Sequence, residues 1–90
     1  MADSQLTEMG RDLLELAHDL GGGPTTSIVA ITELDRQIVD ESLRRLVDRG
    51  FLTTRRAVYA GVRPNARGEL VYEDDWWDLT SAGRSAIGRP

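Results

Sequence analysis

The residues best equipped for chemistry in this 90-residue chain are its arginines, and the chemistry is anion recognition. All eleven basic residues are arginine, and there is no cysteine. The planar guanidinium fork pairs with phosphate, carboxylate or the guanine edge through two hydrogen bonds. Between positions 36 and 67, eight arginines (36, 44, 45, 49, 55, 56, 63 and 67) stand against Asp40, Glu41 and Asp48, a local charge of +5. The remainder sets three arginines against twelve acids, −9, so the whole chain carries −4. A basic centre between acidic ends suits an oriented polyanionic partner.

No catalytic set can be assembled, and enzyme activity is not expected. His18, the one histidine, has no visible base, nucleophile or ligand partner. The absence of cysteine excludes a disulfide scaffold, a thiolate zinc site and a cysteine nucleophile. Gly21-Gly22-Gly23 lacks the Lys-Ser/Thr that completes a phosphate loop, and reads as a helix stop. Glu73-Asp74-Asp75 lacks the spaced oxygen ligands of a hard-cation site, and reads as a solvated acidic strand edge. No metal and no cofactor is expected.

The elements that must hold the arginines follow from hydrophobic period. A first helix over about 5–20 places Leu6, Met9, Leu13, Leu16, Ala17 and Leu20 at three- and four-residue steps, capped by Asp3 or Ser4. A second, short and β-branched, covers about 26–32, with Thr25, Thr26 or Ser27 as cap and tertiary packing to sustain it. A third covers about 35–49, with Asp35 as cap, Val39, Leu43 and Leu46 inward, and Gly50 ending it in the left-handed region. A hairpin over 51–79 follows: Phe51–Tyr59, turn chemistry over Arg63–Gly68, then Leu70–Tyr72 and Trp76–Leu79. A last helix spans about 80–88. Strand alternation sends Trp77 inward and Trp76 outward, where it covers a neighbouring helix or anchors a partner.

The chain thus reads as one α+β domain, mainly α. The pairing of LRRLVDRGFL (43–52) with WDLTSAGR (77–84) resembles winged helix-turn-helix regulators of the bacterial MarR and PadR type, over about 27–87. The resemblance implies three helices, a C-terminal β-hairpin wing and a short final helix, with helix three in the DNA major groove and the wing on the backbone. It places Arg36, Gln37, Asp40, Glu41 and Arg44 on the reading face, and Arg55, Arg56, Arg63 and Arg67 on the wing. The partner it implies is double-stranded DNA, bound by a homodimer with two recognition helices about one DNA turn apart.

Three departures stand out. Glu33 occupies a turn position where related motifs often carry glycine, at a cost of ~1 kcal/mol if its φ is positive. Asp40 and Glu41 put negative charge on the reading face. The long dimerising helices of many such regulators are missing, leaving helix one or Trp76 for a dimer contact. The alternative is a winged helix used for protein–protein contact without DNA, as an accessory or phage protein or a piece of a larger regulator. No basic start with an apolar run and no stretch of ~18 apolar residues is present, so a cytoplasmic protein without a membrane span is expected. The composition suggests a GC-rich bacterial or phage genome, and Met1 reads as the start of a complete chain.

Overall fold

The computed structural model describes residues 6–61 and 63–89. Its elements run α1 (Glu8–Leu20), β1 (Gly23–Pro24), α2 (Thr25–Thr32), α3 (Arg36–Asp48), β2 (Leu52–Ala60), β3 (Val71–Leu79) and α4 (Ser81–Ala86). The expected caps Asp3 and Ser4, and Gln5 at the expected start of helix one, lie outside the described residues. Thr7 holds the cap, its hydroxyl accepting from the Gly10 N–H at 2.9 Å. Gly21, at φ +67°, closes α1 with an N–H bond to His18.

The core is one cluster drawn from most of these elements. Leu13, Leu14 and Ala17 of α1 meet Ile28 of α2, Val39, Leu43 and Leu46 of α3, Leu52 and Trp77 of the sheet, and Ile87. Burying such side chains is worth roughly 1.5–3 kcal/mol each, which is what holds the weak α2 in place. Asp35 caps α3 by accepting from Gln37 N–H at 2.8 Å. At its other end Phe51 N–H reaches Leu46 O and Gly50 N–H reaches Val47 O, a Schellman closure with Gly50 at φ +82°. The chain therefore turns directly from α3 into β2.

The sheet order is β1-β3-β2, all antiparallel. The hairpin register runs from Leu52↔Leu79 to Ala60↔Val71 without interruption. Three expectations are corrected here. The returning strand is continuous through 73–75, because Glu73, Asp74 and Asp75 each pair across the ladder. Gly23–Pro24 is more than a helix stop, since it adds a short strand against Trp76 and Trp77. No local threonine or serine caps α2. Pro24 stands at the N-cap without a side-chain bond, and Asp74 of β3 accepts from the Thr26 N–H instead.

The helix-turn-helix corner is made by Glu33, the one non-glycine residue with positive φ among those described. At φ 58° its N–H closes on Val29 O at 2.8 Å, and the chain leaves through Leu34 to Asp35. The described residues extend 50 × 25 × 19 Å, the long hairpin giving the molecule its length.

Candidate nucleic-acid interface

Helix α3 presents four strips. Val39, Leu43 and Leu46 are buried. Gln37, Glu41 and Asp48 face outward, and the Gln37 amide donates to Glu41 at 3.2 Å. Arg36, Asp40 and Arg44 lie along the flank toward the wing, while Arg45 and Arg49 line a shallow hollow against Leu6, Thr7 and Gly10 of the α1 start.

The wing-side flank is an ion-pair lattice. Arg36 Nη2 lies 2.7 Å from Asp74. Arg44 meets Asp40 at 3.0 Å and Asp75 at 2.9 Å. Arg56, from β2, meets Glu73 at 3.0 Å and the same Asp75 at 3.2 Å. On the other face of the hairpin Arg55 reaches Asp78 at 3.5 Å, and near the tip Arg67 reaches Glu69 at 3.5 Å. The Arg63 guanidinium has no ion-pair partner among the described residues, and its carbonyl accepts from the Tyr72 hydroxyl. Arg36, Asp40, Arg44 and Arg56 are thus brought together, Gln37 and Glu41 stand beside them, and Arg55, Arg63 and Arg67 lie elsewhere on the wing.

Within the acidic run only Glu73 is a solvated position; Asp74 and Asp75 are not. Asp74 is only 4% exposed. Its carboxylate accepts from Thr26 twice, at 3.0 Å (N–H) and 2.7 Å (hydroxyl), and from Arg36 at 2.7 Å. Burial pushes this carboxyl up, but the Thr26 bonds, the Asp75 N–H and the Arg36 charge outweigh it and hold the group below the ordinary carboxylate value. Arg44 is raised by its bond to Asp40, against desolvation, with Asp75 adding to the effect. Arg56 is raised by Glu73 and then Asp75. Asp74 and Asp75 are the residues that sequence reasoning missed. The available signal was alternation: Trp77 points inward, so Asp75, two residues earlier in the same strand, shares its face.

The opposite face of the wing carries aromatics. Tyr59 stacks on Tyr72 at 5.8 Å and meets Trp76 edge-on at 6.0 Å. Arg55 lies 5.6 Å above the Trp76 ring. Trp76 is half-buried within this cluster, while Trp77 is fully buried. Among the described residues no three His, Cys, Asp or Glu side chains are placed to hold a metal ion, and no helix is long and apolar enough to cross a membrane.

No protein-family model and no curated protein matches the chain. A solved structure does match: the crystal structure of a cysteine-to-serine mutant of MarR from E. coli complexed with operator DNA. The likeness has a TM-score of 0.66 at 16% identity and covers 90% of this chain. The fold is a winged helix of the MarR type. In that fold α2 and α3 form the helix-turn-helix and β2–β3 form the wing. This chain spans 50% of the MarR chain it matches.

Proposed function

We propose that this winged helix is a DNA-binding transcriptional regulator, working in the cytoplasm as a single domain that pairs into a homodimer. The carrying observation is the placement of the basic segment. Its arginines fall on α3 and on the adjoining hairpin, the two elements a winged helix offers to duplex DNA. Arg36 and Gln37 stand at the N-terminal end of α3, suited to guanine and adenine edges, with Asp40, Glu41 and Arg44 following on the same side. Arg55, Arg56, Arg63 and Arg67 supply backbone contacts from the wing. The solved MarR relative is bound to operator DNA, which supports the same partner here. The mechanism is promoter occlusion or recruitment, with no covalent chemistry. Trp76 or the exposed Met9 and Leu20 of α1 supply apolar area for the second copy.

The test is a titration of duplex DNA across a salt series. Log affinity is expected to fall steeply with log salt, and Arg63→Ala with Arg67→Ala to make that slope shallower by about one to two. Absence of binding at low salt overturns the reading. The second reading, a protein-interaction module, is favoured by one specific observation: Arg36, Arg44, Arg55, Arg56 and Arg67 are already paired with the chain's own carboxylates.

A further inference from the structure

We propose that the acidic run of β3 is a built-in competitor for DNA phosphate, with Asp75 and Glu73 occupying Arg44 and Arg56 until a duplex displaces them. The inference rests on the DNA-binding reading above and concerns how that binding is restrained. Each of the two arginines is held by a pair of carboxylates, Arg44 by Asp40 and Asp75 and Arg56 by Glu73 and Asp75. Asp75 is common to both, so one carboxylate ties the recognition helix to the wing. The carboxylates sit where phosphate oxygens would sit in a charge-assisted contact, at 2.9–3.2 Å from guanidinium nitrogens.

The arginines remain reachable. Their side chains are 52% and 58% exposed, whereas Asp75 is 25% exposed. Over Asp75 an approaching phosphate meets the cations first, while Glu73, as exposed as Arg56, meets it alongside that arginine. Exposed ion pairs of this kind are weak, typically under ~1 kcal/mol, so the dense field of a duplex can draw the guanidiniums outward. Asp75 cannot follow the exchange. Asp75 is held in the β2–β3 ladder opposite Arg56 and shares a strand face with buried Trp77, over whose ring Arg44 rests at 5.4 Å. It stays behind the phosphate and repels it, and Glu73 competes from the surface. A duplex offering charge alone therefore gains little, and one that adds base contacts to α3 gains more. The device trades general affinity for discrimination.

The experiment measures binding of a random-sequence duplex across a KCl series for the unmodified chain, Asp75→Asn, Glu73→Gln and Asp12→Asn. Asp12 is exposed on α1, so its substitution makes the same charge change away from the lattice. Asp75→Asn is expected to tighten binding about five-fold and Glu73→Gln about three-fold relative to Asp12→Asn, each with a steeper salt slope. If the unmodified chain binds and both lattice variants only match Asp12→Asn, the competitor is disproved while the DNA reading stands. If none of the four proteins binds at low salt, the DNA reading fails and takes this inference with it. A circular-dichroism melt checks folding, and should Asp75→Asn unfold, Glu73→Gln, at a 58% exposed side chain, decides alone.

Discussion

The indole N–H of Trp77 donates to the Thr25 hydroxyl at 2.7 Å, at a point where the two residues are 0% and 1% exposed. The hydroxyl in turn donates to the Asp75 carbonyl at 3.3 Å. One threonine at the start of α2 thus satisfies the indole and binds the helix-turn-helix to the central strand of the sheet. Thr25→Val keeps the volume and removes both bonds. A buried indole N–H left without an acceptor costs about 1–3 kcal/mol. Urea denaturation should show that loss at an unchanged m-value, and an unaltered midpoint would contradict the account.

Asp74 links stability to pH. Its carboxyl is held below the ordinary value in the folded chain, so the unfolded state takes up its proton first as pH falls. The stabilisation is fully present above the unfolded carboxylate pKa of about 3.9 and is lost as pH drops through the lower folded value. Asp74→Asn weakens both the Arg36 contact and the cap on α2, a change worth about 1–2 kcal/mol near neutrality. Melting curves from pH 7 to pH 2 should converge for the two proteins at the acid end. Parallel curves would show that Asp74 does not carry the dependence.

Helix α3 was legible in the sequence because all its determinants are local: the Val39–Leu43–Leu46 stripe, the Asp35 cap and the Gly50 exit. Trp77 was legible for the same reason, through strand alternation. What could not be read is what comes from afar. The cap of α2 arrives from Asp74, 48 residues away, and β1 is a Gly-Pro pair that counts as a strand only because β3 lies beside it. The candidate site divides likewise. The arginines show in the sequence, but their neutralising partners depend on a register that an acidic run seemed to interrupt.

Glu33 gives a case in which sequence and backbone disagree visibly. Its φ of 58° places a side chain in the left-handed region, at a cost of roughly 1–2 kcal/mol that glycine avoids. Glycine also raises the entropy of the unfolded chain, which returns part of the gain. Glu33→Gly should therefore stabilise the chain by about 0.5–1 kcal/mol, a rise of a few degrees in Tm for a domain this size. A lower Tm would mean that the turn is not strained at this residue.

The exit from the wing depends on a close approach that tolerates no side chain. Thr80 donates its hydroxyl to Gly50 O at 2.6 Å and its N–H to Phe51 O at 3.1 Å, and the same hydroxyl caps α4 by accepting from Gly83 N–H at 3.0 Å. This joins the two sequence stretches, 43–52 and 77–84, that carried the resemblance to winged-helix regulators. A Cβ on Gly83 would overlap the Phe51 carbonyl oxygen and press on Leu79. Backbone on one side and a strand-end leucine on the other leave little room to shift, so Gly83→Ala acts as overpacking and should cost about 2–3 kcal/mol. Ser85→Ala, at an exposed position of the same helix, should stay within about 0.5 kcal/mol. Thermal melts of the pair decide the matter: equal stability would show that α4 does not need this contact to close the wing onto α3.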